Sequence, residues 1–355
     1  MRIDPHVHLR DWLLQRHKET LEHGFLTAWR SGLSGVFEMP NTDPPLTSVK
    51  VILSRIEKGN EALKKLNLPL FHGILAGLTP DPDQIAGVVK VWEDLFPRVA
   101  GLKMFAGHST GNMGITETSG QRRVFETLSS LNYTGVLMVH CEKESFLRPW
   151  LFDPERPETH LAARPPEAEV ESVRDQIRWA RESGFKGTLH ICHVSVPESL
   201  KVIEEGRNKL AGRVTCGITP HHALLSADNM KEPGGILLKV NPPLRTKRMQ
   251  EEMFEALIDG RIDWIETDHA PHTEEEKRDK YLSGIPVLQF YGTFMEILKG
   301  RGMGDSDLED LTFNNITEVF GIEKDTFKEN PGAENIPPEE YGFDPFAGIK
   351  GGILN

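Results

Sequence analysis

The chain alternates between short apolar runs and longer amphipathic stretches. Eight runs are rich in β-branched residues and almost continuously hydrophobic, which is typical of parallel strands buried on both faces. In the stretches between them, apolar residues recur at helical spacing, as at residues 166–184, where Gly184 is the predicted C-terminal stop. Strand and helix repeated eight times predict a (β/α)8 barrel. The runs are residues 2–8, 35–40, 70–76, 101–105, 135–141, 187–194, 214–219 and 263–267.

Length and composition agree with this fold. A chain of 355 residues is close to the size of such a barrel with insertions. It has no apolar run near 18 residues and no signal-peptide pattern, so we expect a cytoplasmic protein without a membrane partner. The net charge of -12 argues against a nucleic-acid surface. An anionic substrate must therefore be captured by local cations.

The last part of the chain differs in composition from the rest. From about Asn330 onward it is rich in proline, glycine and acidic residues, which break regular elements. We therefore predict two parts: a (β/α)8 barrel over residues 1–329, and a tail over residues 330–355 that packs on the barrel or trails from it.

Polar side chains recur at the carboxyl-terminal ends of six of the eight runs, the end at which barrel enzymes assemble their sites. In the first run, His6 and His8 are two residues apart, so both point to the same side of a strand and can hold one metal ion. The pattern predicts a metal site at this end of the barrel. The residues concerned are His6, His8, Asn41, Lys103, His140, His193 and Asp268.

The donor set exceeds the needs of one ion. Four imidazoles and one carboxylate are too many for a single catalytic ion that keeps a water ligand, so we predict two ions. Paired ions need a bridging anion, yet the remaining polar side chain is Lys103, which two cations would repel in its ordinary form. It can bridge them only if it is deprotonated, or converted by CO2 to a carbamate with two oxygens.

Six motifs follow one another over roughly residues 1–300. They are DPHVHLRD at 4–11, EMPNT at 38–42, GLKMF at 101–105, VHCE at 139–142, HVS at 193–195 and TDHAPHT at 267–273. Together they closely resemble the motifs of dihydroorotases in the amidohydrolase superfamily. Six ordered motifs are much more specific than one short match.

The resemblance implies an amidohydrolase-type (β/α)8 TIM barrel, here without an evident flanking β-sandwich domain, and two zinc ions. His6, His8 and Asp268 would hold the more buried ion, and His140 and His193 the second. Carboxylated Lys103 would bridge the ions together with a hydroxide.

The implied activity is the reversible hydrolysis of dihydroorotate to N-carbamoyl-L-aspartate in pyrimidine (UMP) biosynthesis. The bridging hydroxide would attack the ring carbonyl, because bound metal lowers the pKa of water to about 7. Asp268 would take up the proton and deliver it to the leaving nitrogen.

A substrate pocket is expected beside the metals. The ring carboxylate suits a guanidinium, and Arg10 is two residues beyond His8. The segment after Lys103 resembles a loop that closes over substrate, with Gly107 and Gly111 as hinges. The other implied substrate contacts are Asn41, Thr110, Asn241 and His272.

Two alternatives stay open. Another cyclic amidohydrolase, such as an allantoinase or a hydantoinase (dihydropyrimidinase), would have nearly the same metal ligands, but a neutral ring gives no reason for Arg10 and Asn41. An inactive scaffold for aspartate transcarbamoylase is disfavoured because every metal-binding position is present. The chain resembles the compact dihydroorotases in length and the longer ones in its motifs, so its class stays open. Expected partners are dihydroorotate or carbamoyl-aspartate, a second copy of the chain, and aspartate transcarbamoylase.

Overall fold

A computed structural model describes residues 1–12, 14–109, 111–332 and 341–347. In this part of the chain, eight parallel strands form one sheet in sequential order β1 to β8, which confirms the predicted barrel. The strands are β1 Ile3–Val7, β2 Gly35–Glu38, β3 Phe71–Gly77, β4 Val99–Ala106, β5 Val136–Cys141, β6 Thr188–Ile191, β7 Arg213–Ile218 and β8 Trp264–Ile265.

Helices follow the strands on the outside of the barrel. The helix predicted from residue 166 is confirmed and ends at Gly184, which adopts a positive φ of 71°. None of the helices in the described ranges is long and apolar enough to cross a bilayer. The helices are α1 Leu21–Arg30, α2 Val49–Leu66, α3 Pro82–Leu95, α4 Thr118–Ser130, α5 His160–Ala163, α6 Pro166–Ser183, α7 Pro197–Gly206, α8 Pro220–Leu224, α9 Lys247–Ile258, α10 Glu274–Asp279, α11 Tyr291–Gly300, α12 Asp305–Glu309 and α13 Asn315–Phe320.

Strand β8 is shorter than the run that predicts it. The backbone N–H of Thr267 donates to the buried carboxylate of Asp4 instead of continuing the ladder with β7. The chain then turns at Asp268, whose φ is 49°. Beyond this turn, the N–H of His8 donates to the carbonyl of His269 at 2.7 Å, so the barrel closes next to the predicted metal ligands.

Aromatic side chains fill the amino-terminal end of the barrel. Phe37 from β2 and Trp264 from β8 point inward, and Phe320 from α13 packs against both, with ring centroids 4.9 Å and 6.0 Å away. Most other buried apolar residues lie between the strands and the surrounding helices. Since this end is packed, the cavity with the predicted chemistry opens at the carboxyl-terminal end, as barrel enzymes require.

Parts of the C-terminal segment contact the barrel. The amide of Asn330 donates to the carbonyls of Trp29 and Leu33, and the hydroxyl of Tyr341 donates to Glu19 at 2.7 Å. The ring of Phe346 stacks on that of Phe290 with 3.8 Å between centroids. The division into a barrel of residues 1–329 and a tail of residues 330–355 stays a prediction.

Candidate metal centre and substrate pocket

A cavity that is partly open to solvent lies at the carboxyl-terminal mouth of the barrel. Residues from β1, β5 and the turns after β2, β6 and β8 reach it, so the structure brings together most of the side chains chosen from the sequence. Its lining includes His6, His8, Arg10, Asn41, His140, His193, Asn241 and Asp268.

The first cluster consists of His6, His8 and Asp268 and lies where the chain after β8 meets β1 to close the barrel. Oδ1 of Asp268 lies 2.8 Å from Nε2 of His8 and 3.3 Å from Nε2 of His6. One donor atom from each of the three residues lies within 4.8 Å of the others. On the far side of the His8 ring, Nδ1 is 2.6 Å from Oδ1 of Asn41. Asn41 thus orients His8 and leaves its Nε2 for the cluster.

The second cluster comes from the neighbouring strands β5 and β6. Nδ1 of His140 lies 3.2 Å from Nε2 of His193. His193 follows β6 in a left-handed conformation with a φ of 38°, which turns its ring toward the mouth of the barrel. The rings of His193 and His6 are 5.3 Å apart, so the two clusters are adjacent.

Lys103 lies on β4, where its charge acts on His6, His140 and His193 of the two clusters. It is completely buried on β4, and its Nζ donates to Sγ of Cys192 at 3.0 Å. Phe105 places its ring centroid 5.1 Å from the same Nζ. Among the described residues, no carboxylate forms an ion pair with Lys103. A buried ammonium whose close polar neighbour is a thiol is poorly compensated.

The protonation states suit a metal centre. Burial lowers the pKa of His6, His140 and His193, and that of His8 to about 4, so these imidazoles are neutral near pH 7, as metal ligands must be. Burial alone would raise the pKa of Asp268, but its histidine neighbours outweigh this and keep it well below the ordinary value. Nδ1 of His193 is buried without a hydrogen-bond partner in the described structure. The donor set therefore fits bound metal.

Two carboxylates behind the histidines were not predicted. Glu266 places Oε1 3.4 Å from Nδ1 of His6, and its Oε2 is 3.1 Å from Nε2 of His190. Oε2 of Glu142 lies 3.1 Å from Nε2 of His140. Each is two residues from a predicted ligand on the same strand run, and this period-two spacing is a signal that could have identified them. Such carboxylates orient metal-binding imidazoles.

The pocket beside the clusters contains the predicted cation. Arg10 is buried, its Nε donates to the carbonyl of Pro271 at 3.4 Å, and its Nη2 lies 3.5 Å from Nε2 of His272. Asn241 lines the cavity, with Oδ1 3.0 Å from Nε2 of His160, a histidine that was not singled out from the sequence. The predicted contact Thr110 lies outside the described residues.

Gly107 directly follows β4 and lies two residues before Ser109, which lines the cavity. It has a φ of 114°, and a Cβ at this position would lie 2.0 Å from the carbonyl oxygen of Glu142. We expect Gly107→Ala to lower the free energy of unfolding by about 2 kcal/mol, because the backbone strain and the clash add. Gly87→Ala, on the open face of α3, is the matched control. Urea denaturation checks this, and equal stability of the two variants would contradict the assignment.

Comparisons with known proteins show which proteins this chain is similar to. A dihydroorotase from Brevibacillus brevis is 34% identical over 279 residues, which cover 78% of this chain and 61% of that protein. One from Halobacterium salinarum is 33% identical over 335 residues, covering 91% and 72%. An L-hydantoinase structure from Arthrobacter aurescens superposes with a TM-score of 0.78 at 22% identity, covering 93% and 73%. A scan against models of protein families gives no match.

The fold and the site together define a (β/α)8 barrel protein with a candidate metal centre at the mouth of the barrel, and its structural neighbours share this fold. The chain belongs to the dihydroorotase family. It spans just over three fifths of the length of the Brevibacillus relative and under three quarters of that of the Halobacterium relative.

Proposed function

We propose that this protein is a dihydroorotase, which reversibly hydrolyses dihydroorotate to N-carbamoyl-L-aspartate. The observation that carries the proposal is the buried guanidinium of Arg10 in the cavity that also exposes His6 and Asp268. No carboxylate of the described chain forms an ion pair with Arg10. A buried guanidinium that no carboxylate contacts directly favours an anionic ligand, and dihydroorotate carries a carboxylate that hydantoins lack.

We propose two zinc ions at the mouth, the first held by His6, His8 and Asp268 and the second by His140 and His193. Carboxylated Lys103 would bridge them, which would also replace a poorly compensated buried ammonium by an anion with two metal partners. When bound, such a pair supplies a hydroxide nucleophile at neutral pH and polarises the substrate carbonyl.

The remaining steps fall to residues of the chain. Ionised Asp268 is the acceptor for the proton released in hydrolysis and returns it to the ring nitrogen as the amide bond breaks. Arg10 pairs with the ring carboxylate, and Asn41, Asn241, Thr110 and His272 complete the contacts to the substrate. The narrow, mostly polar cavity orients the ring so that its amide faces the histidine clusters.

We further propose a role in pyrimidine biosynthesis in the cytoplasm, since relatives of this chain carry the name dihydroorotase. A second copy of the chain and aspartate transcarbamoylase are the proposed protein partners. Size-exclusion chromatography of the purified protein, alone and mixed with aspartate transcarbamoylase, tests both associations. Turnover of dihydroorotate compared with hydantoin and allantoin tests the activity.

Lys103→Met is expected to lower the bound zinc from two ions per chain to one or fewer. Methionine fills similar space, but it cannot be carboxylated, so the anion between the ions is lost. Elemental analysis of purified protein after dialysis against dilute zinc checks the count. Lys90→Met on the exposed face of α3 is the control and should keep two ions. Two retained ions in Lys103→Met would overturn the lysine bridge.

A further inference from the structure

Arg55, on helix α2, contacts the backbone on both sides of Arg10. Its Nη2 donates to the carbonyl of Leu9 at 2.8 Å, and its Nη1 donates to the carbonyl of Asp11 at 3.1 Å. One planar guanidinium thus holds the carbonyl groups of the two residues that flank Arg10 in the sequence. We propose that Arg55 is a positioning residue for substrate specificity: it fixes the backbone of Arg10 so that the Arg10 guanidinium meets the substrate carboxylate. This inference rests on the proposed function.

The other donors of Arg55 bind a carboxylate at the end of β2. Its Nε lies 3.0 Å and 2.9 Å from the two oxygens of Glu38, and Nη2 also donates to Glu38. The side chains of Arg55 and Glu38 are both completely buried. Glu38 in turn lies three residues before Asn41, which orients His8. The ion pair therefore links α2 to the β1 and β2 loops that build the pocket.

The surroundings of the pair hold the guanidinium in one orientation. Nε2 of His72, on β3, lies 3.0 Å from the second oxygen of Glu38. Gly59 follows Arg55 by one helical turn, and a Cβ there would lie 2.3 Å from the His72 ring, so glycine lets α2 approach this closely. Trp12 covers the guanidinium, with its ring centroid 5.3 Å from Cζ. Neither partner of the pair can move without disturbing this packing.

Charge balance alone does not require arginine at this position. A lysine could neutralise Glu38, but a single ammonium cannot bind both carboxylate oxygens and two separate carbonyls in a fixed plane. With its donors in this geometry, Arg55 fixes the backbone at Leu9 and Asp11 and also neutralises Glu38. The expected consequence of losing it is a displaced Arg10 rather than an unfolded barrel.

The test is a double-mutant cycle with Arg55→Lys and Arg10→Ala, measured with dihydroorotate on the zinc-loaded enzyme. We expect Arg55→Lys to raise KM about tenfold with kcat within about twofold of the parent, because misplaced binding groups cost affinity. In the Arg10→Ala background the same substitution should change KM by less than about twofold. Arg207→Lys is the matched control, since Arg207 also binds a carboxylate and a carbonyl, but at the amino-terminal end of the barrel.

Each result decides the proposal. An unchanged KM in Arg55→Lys, or an equal loss in both backgrounds, would overturn the positioning role. A fall in zinc content, or a fall in kcat by the same factor as the rise in KM, would indicate a general structural role. Either result would also overturn the positioning role. If Arg55→Lys fails to fold, the double variant Arg55→Met/Glu38→Gln, which removes both buried charges, must show the KM effect. A parent enzyme without dihydroorotate turnover would instead refute the proposed function on which the inference rests.

Discussion

Asp268→Asn is expected to lower kcat for dihydroorotate by about 10³-fold or more, with a much smaller change in KM. The carboxylate lies 2.8 Å from His8 and 3.3 Å from His6, and its pKa lies well below the ordinary value, so it is ionised at pH 7. Its oxygens can accept a proton. An amide of the same shape has no such capacity and is a weaker metal ligand. Steady-state kinetics together with zinc analysis check this.

The matching control for Asp268→Asn is Asp94→Asn, an exposed position on α3 that pairs with Lys90. It should leave kcat unchanged. The zinc count separates two effects in Asp268→Asn: a full count with low kcat isolates proton transfer, and a reduced count shows the ligand role. A kcat within tenfold of the parent would contradict the proton-transfer role, and a full zinc count would contradict the ligand role.

Arg10→Ala is expected to lower kcat/KM for dihydroorotate by about 10²–10³-fold, because it removes a buried charge-assisted contact to the substrate carboxylate. Activity toward a neutral hydantoin, where measurable, should not fall, since that ring offers no carboxylate. The selective loss distinguishes a substrate contact from general damage to the site. Kinetics with both substrates on zinc-loaded protein measure it.

Arg16→Ala is the control for Arg10→Ala, since Arg16 lies in the same loop but is largely exposed and pairs with Asp11. It should leave both kinetic constants near those of the parent, as exposed ion pairs contribute little. Equal losses for dihydroorotate and hydantoin in Arg10→Ala, or no loss at all, would remove the argument for a carboxylate pocket.

The barrel could be predicted because its strands are buried on both faces and read as apolar runs, with period-two histidines such as His6 and His8 at their ends. The length of β8 could not, since the strand stops where Asp4, distant in sequence, takes the N–H of Thr267. A contact between residues so far apart in sequence cannot be predicted from the local pattern of either segment.

The candidate site, like the fold, could be predicted in part from the sequence. Residues at strand ends converge because the barrel brings these ends together, and this places His140, His193 and Asp268 in one cavity. Supporting residues are harder to find. Arg55 looks like an ordinary charged position within a helix, and only the packing of α2 on the barrel buries it against Glu38. Its contacts to the carbonyls flanking Arg10 depend on tertiary structure alone.

The proposed activity is tested most directly by the turnover of dihydroorotate, hydantoin and allantoin by the purified, zinc-loaded protein. We expect kcat/KM for dihydroorotate to exceed that for either neutral ring by about 10²-fold or more, because only dihydroorotate pairs with the buried Arg10 guanidinium. A preference for hydantoin or allantoin, or no turnover of dihydroorotate by protein that carries its zinc, would contradict it.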